Sequence, residues 1–201
     1  MSDSNDIPLL VDLDGSLLTT DSLLEQLIYI LKENMLLLFL LPFWIFKGKL
    51  YLKHKIFSFP LLTVDTLPFR SELVSYLEEQ AQSGREIILV SGSSHRVCHA
   101  VVEKFPFFSG FASTTKDINL TGRNKANYAL EQFGHQKFDY VGNEHRDLEV
   151  WKHCRQSYVV GNSKLAKKAA DVSNLNSTFL VEKAGSRVWL KQLRIHQWAK
   201  N

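Results

Sequence analysis

The chain has 201 residues, 45% hydrophobic and 22% charged, which gives room for one well-filled core and excludes a disordered chain. Its 24 basic and 21 acidic side chains leave a net charge of +3, too little over this length to point to nucleic acid. The charge is uneven. Residues 47–55 and 187–201 each hold four Lys or Arg and no acid, and the remainder carries 16 basic against 21 acidic residues. Cys98 and Cys154 lack disulfide or zinc spacing and fit a reducing, cytoplasmic setting. The polar, acidic N-terminus does not read as a signal peptide. The longest apolar run, residues 35–46, contains Pro42 and falls short of the ~18–20 residues that span a bilayer.

In chain order, residues 8–11 read as a buried strand that ends in the turn Asp12-Leu13-Asp14-Gly15. Residues 20–58 are mostly helical in pattern, with Leu-rich stretches broken at Asn34, Pro42 and Gly48, and residues 20–68 look like a helical cap inserted after the first strand. The pattern predicts a helix over 69–83 closed by Gly84, a strand over 86–90 and a helix over 94–104. Short strands and turns follow over 109–121, then a helix over 124–133 stopped by Gly134. Strands at 138–141, 157–160 and 179–181 alternate with helices at 146–153 and 163–172. This alternation argues for an α/β, Rossmann-like fold with a mainly parallel sheet, which places ligands at the carboxyl ends of its strands. The expected division is a core from 1–19 and 69–185, a cap from 20–68, and a C-terminal amphipathic helix from 186–201.

Three strands end in polar residues able to converge. Asp12 and Asp14 suit a division of labour in which one carboxylate attacks phosphorus and the other handles a proton. Ser91 and Gly92 offer a hydroxyl and backbone N–H groups beside a helix start, where a phosphate oxygen can be held. Asn143 and Asp147 bring oxygen ligands to the same edge, and Lys125 can neutralise phosphate charge. Oxygen ligands around a phosphate suit Mg²⁺. Each group alone also has an ordinary reading as a turn, a helix cap or a solvated lysine. Their joint order behind successive strands is the stronger signal. The seven histidines show no paired metal spacing, and His95 and His99, four apart, have no evident third ligand.

These residues resemble the haloacid dehalogenase superfamily of phosphohydrolases: VDLDGSLLTTDSL at 11–23, Ser91 in LVSGSS, Lys125 in TGRNKANYAL, and GNEHRD at 142–147. The resemblance implies a Mg²⁺-dependent phosphomonoester hydrolase. Asp12 would be the nucleophile and a metal ligand, and Asp14 the general acid/base, with its backbone carbonyl also on the metal. Ser91, Gly92 and Lys125 would hold the phosphoryl group; Asn143 would ligate the metal, supported by Asp147. Ser16 stands where Thr is usual, and Asn143 where Asp is usual, with one negative charge fewer at the metal. That departure leaves open a catalytically weak regulatory or docking domain. A soluble metabolite phosphatase like the phosphoserine phosphatases is a third reading.

Residues 193–201, LRIHQWAKN, resemble the start of the membrane domain of UbiA-type prenyltransferases, in the version that carries a haloacid-dehalogenase-like domain at its N-terminus, as in decaprenyl-phosphate phosphoribosyltransferases. That resemblance implies a chain cut short before its first transmembrane helix, a place at the cytoplasmic face of the cell membrane, and a sugar phosphate or lipid-linked sugar phosphate as substrate. The apolar run and lysines of 35–55 then read as a membrane-facing segment, against the plainer reading of a cap interior with solvated lysines and a third in which Lys47, Lys49, Lys53 and Lys55 draw an anionic substrate toward the cleft.

Overall fold

A computed structural model describes residues 6–180; the expected C-terminal helix over 186–201 lies outside the described residues. Six parallel strands form one sheet in the order β3-β2-β1-β4-β5-β6: β1 Leu9–Val11, β2 Ile87–Ser94, β3 Gly110–Thr114, β4 Asp139–Gly142, β5 Gln156–Gly161 and β6 Asn174–Leu180. This is the doubly wound order, in which the strand sequence reverses at β1. Leu9, Leu10 and Val11 are fully buried because helices cover both faces of the sheet. Leu9 and Val11 pack into one core with Leu73 and Leu77, and Leu10 into the other with Phe138 and Trp151.

The core helices follow the apolar periodicity. α4 Ser71–Gln82 buries Leu73 and Leu77, and Gly84 beyond its end takes φ +91°. Fully burying each leucine is worth about 2 kcal/mol. α5 His95–Lys104 is capped by Ser94, whose Oγ accepts from Val97 N at 3.4 Å, and α6 Arg123–Phe133 stops at Gly134. α7 Leu148–Trp151 is one turn preceded by a 3₁₀ turn, shorter than the expected 146–153, and α8 is Ser163–Ala170. β6 starts five residues before the expected 179–181, because its first residues are polar and sit at the sheet edge.

Three helices follow β1: α1 Ser22–Glu33, α2 Leu41–Phe46 and α3 Lys49–Ile56. Asp21 caps α1 by accepting from Leu23 N and Leu24 N. Asn34 and Gly48 break the helices as expected, Gly48 with φ +99°. Pro42 does not: it sits in the first turn of α2, where the missing N–H costs nothing. Ile30, Leu37, Trp44 and Ile56 make a small separate core. Side chains tie this unit down: Gln26 bonds Pro60 O and Leu62 N, Arg96 of α5 donates to Phe57 O and Phe59 O, and Lys53 Nζ reaches Gly92 O at 2.7 Å. No described helix is long and apolar enough to cross a membrane.

At the amino edge of the sheet, Asp139 receives Arg85, Arg155 (2.6 Å) and the Gln156 backbone N–H (2.9 Å). The functional candidates lie at the opposite edge.

Candidate active site

β1 and β4 lie side by side, with Val11 paired to Val141, so the residues after them meet at the carboxyl edge of the sheet. Asp12 follows β1. Gly15, with φ +78°, turns the chain back sharply, and the Leu17 N–H closes the turn onto Asp12 O. After β4, Asp147 Oδ2 accepts from the Asn143 and Glu144 N–H groups, both at 2.9 Å, which fixes the loop. Gly142 permits this, since a Cβ there would lie 2.7 Å from the Asp147 carboxylate.

A buried chain of polar groups links the two ends. Lys125 Nζ donates to Asp12 Oδ1 at 2.6 Å and to Tyr140 Oη at 2.8 Å, and Tyr140 donates to Asp147 Oδ1 at 2.8 Å. Both Asp147 oxygens are therefore engaged in holding the loop and Tyr140. Asp12 and Lys125 are only 6% and 4% exposed, so their attraction is little screened. Burial pushes the Asp12 carboxyl up to about 7; Lys125 opposes the shift and Asp147 adds to it. Burial works to lower the Lys125 ammonium, but Asp12 and Asp147 outweigh it and hold the group above its ordinary value. Asp14 accepts from Ser22 N at 2.7 Å; burial, then the nearby Asp21, raise it to about 6.

The cluster opens on a cavity of about 470 Å³ that runs between core and cap. Asp12, Asp14, Lys125, Asn143 and Asp147 all line it, with Lys53 and the apolar Leu24, Ile28 and Phe57 contributed by the cap side. Gly92 and Ser93 also line it, whereas Ser91 is fully buried beneath them, its Oγ accepting from Ser93 N at 3.0 Å. Gly92 has no room for a side chain, since a Cβ would lie 2.4 Å from Thr121. Sequence reasoning missed Tyr140 and Ser22. Ser93 and Ser22 share a hydrogen bond of 2.7 Å between core and cap.

The oxygens available to a divalent cation are an Asp12 carboxylate oxygen, the Asp14 carbonyl and the Asn143 amide. The inward amide atom of Asn143 lies 3.2 Å from Asp12 Oδ2 and 3.1 Å from Asp14 O. Those separations match the edge of about 3 Å expected between neighbouring ligands of Mg²⁺, so the donor set fits such an ion. The set is one carboxylate, one backbone carbonyl and one amide; no group of three His, Cys, Asp or Glu side chains among the described residues is arranged to hold a metal. His99 pairs with Glu103 at 3.2 Å instead.

No protein-family model matches the chain. The uncharacterized protein y4nM of Sinorhizobium fredii is 31% identical over 202 residues, 97% of this chain, and the chain spans 38% of that relative's length. Among solved structures, a phospho-aspartyl intermediate analogue of phosphoserine phosphatase superposes with a TM-score of 0.56 at 14% identity, covering 94% of this chain and 99% of that one. A HAD family hydrolase from Salmonella enterica serovar Typhi superposes with a TM-score of 0.58 at 11% identity, covering 81% of this chain and 66% of that one. The described part of this chain thus has the haloacid-dehalogenase-like fold.

Proposed function

We propose that the chain is a divalent-cation-dependent phosphomonoester hydrolase. The observation that carries this reading is a buried nucleophile candidate, Asp12, ion-paired to Lys125 on the wall of a cavity that a second carboxyl, Asp14, also lines. An Asp12 oxygen attacks phosphorus as the ester P–O bond breaks, and Asp14 gives its proton to the leaving oxygen. Asp14 then takes a proton from water, which attacks the aspartyl-phosphate and releases phosphate and free Asp12. Lys125 and the Gly92 backbone N–H hold the phosphoryl oxygens, with Ser91 fixing that turn through the Ser93 N–H. The Asp12 carboxylate, Asp14 carbonyl and Asn143 amide would hold the cation, Mg²⁺ by its oxygen preference; when bound it neutralises charge on the phosphoryl group.

Phosphate release from a panel of phosphate esters with Mg²⁺ tests this. The wild type turns over at least one ester, and Asp12→Asn loses about 10³-fold or more while keeping its circular dichroism spectrum. Equal background turnover in both proteins overturns the enzyme reading and favours a docking domain.

A second observation supports a lipid-linked sugar phosphate, met at a membrane surface, over a small soluble one. Within the run 35–46 only Leu37 and Trp44 are buried, while Phe39 is 79% and Phe46 92% exposed. Lys47 lies over the Phe43 and Tyr51 rings beside this apolar face. Each lysine near an anionic leaflet adds about 1 kcal/mol. The cap-side cavity wall of Leu24, Ile28 and Phe57 suits a greasy leaving group. The resemblance of residues 193–201 supports a UbiA-type fusion on sequence alone. Flotation with anionic vesicles checks the surface: the wild type floats, and Phe39→Ser/Phe46→Ser binds about tenfold more weakly. A wild type that stays at the bottom of the gradient, with fast turnover of a soluble ester, overturns it.

A further inference from the structure

Asp14 O and Asp12 Oδ2 both accept, so the surroundings of the Asn143 amide place Nδ2 inward; a half-turn of its terminal torsion, which is two-fold and soft, would put Oδ1 at the same point. With Oδ1 inward, Ser16 Oγ donates to it at 3.1 Å, and the amide oxygen faces the Asp14 carbonyl and Asp12 Oδ2 with no proton between them. With Nδ2 inward, the amide donates to Asp14 O (3.1 Å), Asp12 Oδ2 (3.2 Å) and Ser16 Oγ (3.1 Å). Ser16 serves both states because a hydroxyl both donates and accepts; in the second its own proton goes to Asp12 Oδ2, 3.2 Å away. The outer atom of the Asn143 amide lies over Gly15, where a Cβ would approach to 2.1 Å and only glycine leaves room for it.

Three oxygens facing one another at 3.1–3.2 Å need either a cation or a donor among them. Aspartate at 143 has no N–H to offer and would need a cation or an added proton. Asparagine can supply the donor itself or admit a cation. We propose that the Asn143 amide is a built-in plug for the cation position: it turns its N–H₂ onto Asp12 and Asp14 when no cation is present, and turns its oxygen inward to admit one. The inference rests on reading Asp12 and Asp14 as the cation-binding edge of the proposed hydrolase. It accounts for the departure at 143 as a device that keeps the cation-free site satisfied and makes the ion compete with hydrogen bonds.

The test is a Mg²⁺ titration of ¹⁵N-labelled protein alongside thermal melts in chelator and in Mg²⁺. The Asn143 side-chain amide signals, assigned by their loss in Asn143→Asp, shift on cation binding and exchange faster once they no longer face Asp12. Asn143→Asp melts below the wild type in chelator, gains more from Mg²⁺, and binds Mg²⁺ about tenfold or more tightly in calorimetry. Asn143→Ala, which removes both the donor and the ligand, melts lower in chelator and binds Mg²⁺ more weakly. Amide signals that stay fixed through saturation, Asn143→Asp or Asn143→Ala as stable as the wild type in chelator, or no Mg²⁺ binding by any of the three overturns the plug. A moving amide without turnover overturns the hydrolase reading alone; turnover with a static amide overturns the plug alone.

Discussion

Two buried charge clusters stand at opposite ends of the same sheet. At the amino edge, Asp139 receives two guanidinium groups and a backbone N–H, and both of its oxygens are spoken for. At the carboxyl edge, Asp12 has Lys125 on one oxygen, while its other oxygen faces the Ser16 hydroxyl and the Asn143 amide beside an open cavity. Both acids are almost fully buried. Burial and an ion pair therefore do not by themselves mark a reactive centre. The difference is saturation: the first cluster has no valence left for a ligand, and the second keeps one directed into space that a substrate can enter.

That contrast can be broken at either end. Asp139→Ala leaves Arg85, only 5% exposed, without its carboxylate, and arginine cannot shed its charge. The expected cost is about 3–5 kcal/mol in urea unfolding, with turnover per folded molecule unchanged. Lys125→Met removes the partner of Asp12, which, unlike arginine, can become neutral by taking up a proton, its carboxyl being already pushed up to about 7. Its expected cost in stability is smaller, about 1–2 kcal/mol, while turnover falls about 10²–10³-fold as a donor to the phosphoryl group is lost. The reverse pattern, with Asp139→Ala silencing turnover and Lys125→Met sparing it, would erase the distinction.

The sheet was legible where strands are short buried runs ending in a turn, as at Leu9–Val11, and less so where burial is one-sided, as in β6, whose early residues are polar. Asp12, Asp14 and Lys125 stood out because each follows a strand or opens a helix. Tyr140 gave no such signal. It is an ordinary strand residue that becomes a bridge between Lys125 and Asp147 only when β4 lies beside β1. The contact of Lys53 with Gly92 was hidden for a similar reason, since it joins residues 39 positions apart across two units of the fold. Between Met35 and Phe46 the pattern shows apolarity but not exposure, because helix boundaries at Asn34 and Gly48 decide which side chains turn inward.

The small cap core has a consequence for how the cap keeps its order. Four buried side chains, Ile30, Leu37, Trp44 and Ile56, are too few to offset the entropy of ordering α1 to α3 alone. The cap holds its form by leaning on contacts that exist only after the sheet does: Arg96 on α5, and Lys53 on the carbonyl that follows Ser91. The order of the cap therefore depends on the sheet and on α5, and loosening those contacts costs the cap more than it costs β1 and β4.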